Sequence, residues 1–240
     1  MRTKAVKVLV VAGAAAGVVG GAAGVASGDV FRFDFGAASG NGAETVSPDA
    51  NGNFWNNVTG PVTEDVVNID DAASDLVIRF TSDFSANNLG GLTAPDSGLL
   101  GDFAVGSVTG DYFFGAGSFV TSFEVEGLDA GVEYNLRFFA TRATGETRTT
   151  EYTAVGGNGS HSVQLQTSGD GAGAGSNGNN DDLALIVGIT ADGSGEIAVS
   201  FTRVAGGFSY LGGFEIEVVP TPGSAAMLAV GGLLSVRRRR

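Results

Sequence analysis

The middle of this chain consists of short runs in which apolar residues occupy every second position. Glycine, aspartate, asparagine or serine separates one run from the next. The alternation is clearest in two sets, Phe31, Phe33 and Phe35, and Val132, Tyr134, Leu136 and Phe138. Alternate residues of a strand share one face, whereas a helix repeats every three to four residues, and we find almost no helical repeat. The runs predict strands at residues 30–35, 66–69, 76–81, 112–114, 119–126, 132–141, 149–155, 162–167, 183–189, 196–203 and 208–218. Strands this short and numerous predict an all-β fold, a sandwich of two antiparallel sheets.

The same alternation predicts which side chains face the core. The two apolar sets are expected to point inward, and the residues between them outward, namely Arg32, Asp34, Glu133, Asn135 and Arg137. The last strand alternates in the same way, and we expect it to lie beside the first.

Composition narrows the chemistry that such a sandwich can carry. The chain has no cysteine and one histidine, which excludes disulfides, thiolate sites and multi-histidine metal sites. His161 is accompanied by no Gly-x-Ser-x-Gly elbow, and we expect it at an exposed strand edge. We therefore predict a protein without enzymatic activity. The alternative, a polysaccharide hydrolase, would use a pair drawn from the 26 carboxylates.

Charge is distributed unevenly along the chain. Seven of the 13 basic residues lie in the first seven and the last four positions. Residues 28–218 hold the other six, all arginine, together with the 26 acidic residues, a formal charge of −20. Such a surface repels polyanions, so nucleic acid and anionic lipid headgroups are excluded as partners.

Residues 1–27 have the parts of a secretory signal peptide. Residues 1–7 are basic, residues 8–25 are apolar, and small residues follow at Ala26 and Ser27. We expect an N-terminal signal helix that signal peptidase removes near Ala26 or Ser27. A retained N-terminal membrane anchor is the alternative.

Residues 219–240 contain three parts in order. A proline motif comes first, then a 13-residue apolar stretch at 224–236, then four arginines. The residues of the first and last parts are Pro220, Thr221, Pro222, Arg237, Arg238, Arg239 and Arg240. The stretch predicts a hydrophobic helix that is short for a membrane span of about 20 residues, with the arginines on the cytoplasmic side.

This order resembles the PEP-CTERM sorting signal in a Pro-Thr-Pro form, with Thr221 in place of the glutamate of Pro-Glu-Pro. The resemblance implies an exosortase-like processing enzyme and transient membrane anchoring through this segment. It also implies a location at the cell surface, in the outer envelope or in the extracellular matrix of a Gram-negative-type bacterium. An ordinary C-terminal anchor that is never cut is the alternative.

Residues 28–218 form the predicted sandwich domain. Six segments characterise its layout, namely Phe33-Asp34-Phe35-Gly36, Phe54-Trp55-Asn56-Asn57, residues 127–134 from Gly127-Leu128 to Tyr134, Thr141-Arg142, Thr147-Arg148 and Tyr210-Leu211-Gly212-Gly213-Phe214-Glu215-Ile216. This layout is similar to jelly-roll domains of secreted bacterial surface proteins, of galactose-binding or malectin-like type. The resemblance implies a jelly-roll-like sandwich, and domains of this type often bind carbohydrate.

Aromatic rings can cover the apolar faces of sugars, and polar side chains can bind their hydroxyl groups. Trp55 beside Asn56 and Asn57 is the best local candidate for such a site, and Tyr112, Tyr152 and Tyr210 are further candidates. The arginines on either side of residues 143–147, Arg142 and Arg148, are predicted to hold a carboxylate or an acidic sugar. The alternatives are a core position for Trp55 and pairing of the two arginines with the abundant acids.

Calcium is the one ion that the composition favours, because Asp and Asn oxygens suit a hard cation. The densest cluster is Asn177, Asn179, Asn180, Asp181 and Asp182. Its spacing does not match an EF-hand, and we favour a solvated acidic loop over a calcium site. The predicted function is an adhesion or matrix module that binds extracellular polysaccharide, and the alternative is a purely structural acidic envelope component.

Overall fold

A computed structural model of the chain describes residues 28–36, 43–87, 90–172 and 178–220. The strands are β1 Val30–Phe35, β2 Asn56–Val58, β3 Val62–Thr63, β4 Val77–Phe80, β5 Ser85–Asn87, β6 Tyr112–Ala116, β7 Thr121–Glu126, β8 Glu133–Phe139, β9 Arg148–Gly156, β10 Gly159–Ser168, β11 Ala184–Thr190, β12 Ile197–Ala205, β13 Phe208–Leu211 and β14 Gly213–Val218. Two short helices, α1 Ser97–Leu100 and α2 Gly106–Gly110, flank a 3-10 turn at Gly101–Phe103.

The strands form two large sheets and one small sheet. The five-stranded sheet has the order β11-β8-β14-β1-β2, and the six-stranded sheet has the order β10-β9-β12-β7-β4-β3. The small sheet has the order β13-β6-β5. Neighbours are antiparallel except β1 and β2, which run parallel. The predicted all-β sandwich is confirmed.

The main core lies between the two large sheets. Phe31, Phe33 and Phe35 of β1 are fully buried, as are Tyr134, Leu136 and Phe138 of β8. Each fully buried side chain of this size stabilises the fold by about 1.5–3 kcal/mol. The inward direction of these two sets is therefore confirmed. So is the position of the last strand, because β14 pairs with β1 in the register Phe33 to Phe214.

A second apolar cluster covers the outer face of the five-stranded sheet. It consists of Trp55, Leu100, Phe103, Val108 and Phe139. Helix α1 begins where the Asp96 carboxylate accepts a hydrogen bond from the Gly98 amide at 2.8 Å. Gly213 of β14 leaves room for Phe103 and Val108, because a Cβ there would lie 2.9 Å from each.

This cover makes the expected outward position of Arg32 and Asp34 wrong, since both side chains are buried. Arg32 donates from Nε to Glu215 at 2.8 Å and from Nη2 to Asp102 at 2.7 Å. The sequence pattern identifies the outer face of β1 correctly, but the helical segment then packs over that face. A buried guanidinium is tolerated because two carboxylates neutralise it.

The small sheet is where the predicted strand at 208–218 divides. Gly212 interrupts it, so that β13 joins the small sheet and β14 joins the five-stranded sheet. Phe113 and Leu211 of the small sheet point into the main core. Their neighbours in sequence, Tyr112 and Tyr210, are thereby turned to the opposite face.

The predicted strand at 66–69 is not a strand. Val66 is buried and Val67 forms one isolated bridge with Ala73. Within the described ranges, no helix has the length and apolar character needed to cross a membrane. The predicted signal helix and the apolar stretch at 224–236 lie outside the described residues.

Candidate functional site

The outer face of the small sheet carries four aromatic rings that pack edge to face. Tyr112 and Phe114 come from β6, and Phe208 and Tyr210 from β13. The register pairs Tyr210 with Phe114. Ring centroids of Tyr112 and Tyr210 lie 4.8 Å apart at 78°, and those of Phe114 and Phe208 lie 5.7 Å apart at 74°. This arrangement is the favourable one for aromatic pairs and makes a rigid apolar floor.

Two arginines stand over this floor. Arg142 follows β8 and Arg148 begins β9, so the short connection between these strands brings both to the small sheet. The Arg142 Cζ lies 6.0 Å from the ring centroid of Tyr112. The Arg148 Cζ lies 5.0 Å from the Phe208 centroid and 5.6 Å from the Tyr210 centroid. The four rings and two guanidiniums line an open cavity of about 190 Å³, which we call the arginine pocket.

Arg148 is held in place by its neighbours. Its Nη2 lies 2.5 Å from the Glu146 carboxylate, and its Nε donates to the same oxygen at 2.7 Å. Its Nη1 donates to the Tyr210 hydroxyl. The predicted alternative, pairing with an acid, therefore describes Arg148.

Arg142 has a different environment. None of the carboxylates in the described ranges lies within ion-pair distance of it. Its guanidinium contacts the Tyr112 hydroxyl, and both groups pack against Gly90, where a Cβ would collide with each of them. Arg142 is thus a positioned cation with spare hydrogen-bond donors, in a domain of formal charge −20.

The two tyrosine hydroxyls complete the polar groups of the pocket. Burial raises the pKa of Tyr112 and of Tyr210, and the arginines beside them oppose part of that rise. Both phenols therefore stay protonated at neutral pH. They can donate to or accept from a bound hydroxyl or carboxylate.

The structure brings together four residues that the sequence singles out. Tyr112, Arg142, Arg148 and Tyr210 line one pocket, although up to 98 positions separate them in the sequence. Phe114 and Phe208 were missed. A usable signal exists in the alternation Tyr112-x-Phe114 and Phe208-x-Tyr210, which places each phenylalanine on the same face as a candidate tyrosine.

Trp55 lies elsewhere, inside the second cluster. Its side chain is only 3% exposed, and its ring packs edge to face against Phe103 with centroids 5.8 Å apart. The indole N–H donates to Asp49 at 2.9 Å. The alternative weighed from the sequence, a core position, describes this residue.

Asn56 and Asn57 hold neighbouring loops in place. Asn56 donates to the carbonyls of Arg32 and Val67 and accepts from the Val67 amide at 2.9 Å. Asn57 accepts from the Thr45 amide at 2.7 Å and donates to the Thr45 carbonyl at 3.0 Å. Backbone groups therefore occupy the side-chain amides of both asparagines.

The candidate calcium cluster is described except for Asn177, which lies outside the described residues. The Asn179 amide donates to the carbonyls of Ala140 and Asp182 and accepts from two backbone amides. The Asn180 side chain accepts from the Asp96 amide at 3.0 Å. No group of three or more His, Asp or Glu residues suited to a metal occurs in the ranges that the structure describes.

Of the sorting motif, Pro220 lies within the described residues. Pro220 follows β14 in exposed chain, and Thr221, Pro222, Arg237, Arg238, Arg239 and Arg240 lie outside the described residues.

A buried pair of carboxyl groups was also missed. Asp34 accepts from the Thr45 hydroxyl at 2.6 Å, and Asp111 accepts from the Ala43 amide at 2.9 Å. Each keeps one oxygen, Oδ1, without a partner among the described residues. Burial, reinforced by the nearby Asp111 charge, raises the pKa of Asp34 to about 8, and burial raises the pKa of Asp111 to about 6.

Fold and pocket together define a β-sandwich protein with an arginine-flanked aromatic pocket on a small third sheet. No protein-family model matches the chain, and no curated protein matches it. Three solved structures show low similarity. TmCBM61 in complex with β-1,4-galactotriose is 14% identical, with a TM-score of 0.31, over 60% of this chain and 88% of that one.

The ANXUR2 extracellular domain from Arabidopsis thaliana is 14% identical, with a TM-score of 0.34, over 63% of this chain and 52% of that one. The enzymatically active domain of bacteriophage CBA120 tailspike protein 4 is 13% identical, with a TM-score of 0.28, over 59% of this chain and 18% of that one. Similarity at this level is no guide to ligand or activity.

Proposed function

We propose that this chain is an exported, surface-sorted, non-enzymatic protein that binds carbohydrate carrying a carboxylate. The arginine pocket is the binding site. The proposal rests on one observation about Arg142. Its guanidinium lies over the aromatic floor and has no carboxylate partner in the described part of the chain.

The charge of the domain gives this observation its weight. The 26 acidic residues offer many partners for six arginines, and Arg32, Arg79, Arg137 and Arg148 each pair with at least one. Arg203 donates instead to the backbone carbonyls of Gly117 and Gly206. Among the arginines of the described ranges, this leaves the donors of Arg142 available for an external carboxylate, which a guanidinium binds through two parallel hydrogen bonds.

The aromatic floor supplies the second half of the recognition. Pyranose rings present apolar C–H faces, and the rings of Phe114 and Phe208 line the same pocket as the two cations. The pocket lining consists of tyrosine, phenylalanine and arginine, residues suited to holding a sugar. We propose adhesion or matrix contact as the outcome of this binding.

Export and sorting are proposed from the sequence. The signal peptide at 1–27 directs the chain out of the cytoplasm, and the motif at 219–240 directs an exosortase-like enzyme to it. Mass spectrometry of the surface-displayed protein tests both. We expect a mature N-terminus near Ala26 or Ser27 and loss of the arginine tail, and peptides containing Met1 or Arg240 would contradict the proposal.

Equilibrium binding of the full-length chain to a glycan array tests the site. We expect glycans that contain glucuronate or galacturonate to bind. Arg142→Gln should weaken their binding ten- to a hundredfold, because a hydrogen bond to a charged group contributes about 1.5–3 kcal/mol. The matched control is Arg79→Gln, which removes the same charge from a half-exposed pair with Glu126 on the six-stranded sheet. It should leave binding unchanged.

Two results would overturn this assignment. Equal loss from both variants would show that only net charge matters. A folded wild-type chain that binds no glycan would leave the structural acidic envelope component as the better description.

A further inference from the structure

A second cavity adjoins the arginine pocket. It measures about 250 Å³ and is lined by residues 83–85, 114–116 and 119. Phe114 lines both cavities, and Ser85 is its register partner in β5. The two cavities therefore meet at one residue, Phe114.

The second cavity differs from the first in its charge. Its lining contains no arginine, and Asp83 is exposed without a guanidinium in ion-pair range in the described chain. Asp83 disfavours a second carboxylate here by repulsion, whereas its oxygens accept hydrogen bonds from neutral hydroxyl groups.

The apolar surface of the second cavity is open to solvent. Phe119 is 44% exposed, and Phe84 stacks on the buried Phe113 with centroids 4.1 Å apart at 10°. The exposed Phe119 ring offers a flat surface for the C–H face of a sugar.

The length of the combined surface exceeds one sugar ring. Tyr112, which lines the first cavity, and Ala116, which lines the second, are four residues apart in β6, about 13 Å along an extended strand. We infer that the two cavities form one groove with two subsites. It binds an acidic sugar in the arginine pocket and a linked neutral sugar over Phe119.

This inference rests on the proposed function and is tested by titrating the full-length chain with three probes. These are free glucuronate, a panel of glucuronate–neutral hexose disaccharides of different linkage, and digalacturonate. We expect the best disaccharide of the panel to bind at least tenfold more tightly than glucuronate, and at least fivefold more tightly than digalacturonate.

Two variants then separate the subsites. Phe119→Ala should remove most of the disaccharide gain and leave glucuronate binding unchanged, and Val187→Ala, another exposed apolar residue, is the control. Asp83→Asn should strengthen digalacturonate binding severalfold. Arg142→Gln should weaken every probe.

The outcomes distinguish the two proposals. Glucuronate binding that depends on Arg142, with no disaccharide gain and no effect of Phe119→Ala, would overturn the groove and leave the arginine pocket standing. Absence of binding by all probes would overturn both.

Discussion

At the residue scale, the pair Asp34 and Asp111 shows how burial changes the chemistry of an ordinary side chain. With a pKa of about 8, Asp34 binds its proton more tightly in the folded than in the unfolded chain, where the value is 3.8. Its contribution to stability is therefore fully present below pH 3.8 and is lost as the pH rises through about 8.

Asp34→Asn should remove this pH dependence, because the amide replaces the protonated acid and its oxygen still accepts from Thr45. We expect the variant to match the wild type at acidic pH and to be more stable by at least about 1 kcal/mol at about pH 9. Urea unfolding across pH measures the difference. Asp170→Asn, at an exposed position, serves as the control. If the stability of Asp34→Asn and of the wild type changed with pH in parallel, the raised pKa of Asp34 would be contradicted.

Gly90 is the second residue whose identity has a direct consequence. Because a Cβ there collides with Arg142 Nη1 and the Tyr112 hydroxyl, Gly90→Ala must displace one of them. We expect at least tenfold weaker binding of glucuronate-containing glycans with a nearly unchanged far-ultraviolet circular dichroism spectrum. Gly60→Ala, where a Cβ meets nothing within 4 Å, is the control. Full binding by Gly90→Ala would show that the position of Arg142 is unimportant.

At the element scale, the helical segment α1 to α2 depends on a strand residue without a side chain. Gly213→Ala places a Cβ 2.9 Å from Phe103 and Val108, and overpacking of this kind costs about 1–3 kcal/mol. Chemical denaturation should show that loss, while Gly193→Ala in an open turn should show almost none. Equal stabilities would mean that the segment adjusts without cost.

Strand pairing explains which elements the sequence could predict. The long alternating strands are specified by their own apolar residues, as in Phe31, Phe33 and Phe35. Strand β2 has no such pattern. It exists because Asn56 pairs with Phe33 along an edge that β1 supplies, which is a long-range contact that local spacing does not encode.

The candidate site is predictable to a similar extent. Residue type pointed to Tyr112, Arg142, Arg148 and Tyr210, since guanidiniums and phenols are typical of sugar sites. What the sequence lacked was the division at Gly212, which sends β13 to the small sheet and brings Tyr210 beside Tyr112. Trp55 failed as a predictor of the pocket, since a large aromatic ring is equally suited to a core.

At the scale of the whole molecule, the formal charge of −20 on residues 28–218 works against compactness. Adding NaCl should raise the thermal midpoint of the full-length chain, because the screening length falls from about 30 Å at 0.01 M to about 3 Å at 1 M. Scanning calorimetry at stepped NaCl concentrations measures the effect. A thermal midpoint that does not change with NaCl concentration would show that repulsion between the acidic residues has no measurable effect on stability.

The buried position of Trp55 has an optical consequence. It is the one tryptophan of the chain and belongs to the cluster over the five-stranded sheet, whereas two of the four tyrosines line the arginine pocket. Fluorescence excited at wavelengths longer than those that tyrosine absorbs therefore comes from Trp55 and reports on the packing of the helical segment. Trp55 fluorescence thus monitors one face of the sandwich, and this face does not contain the residues of the proposed binding site.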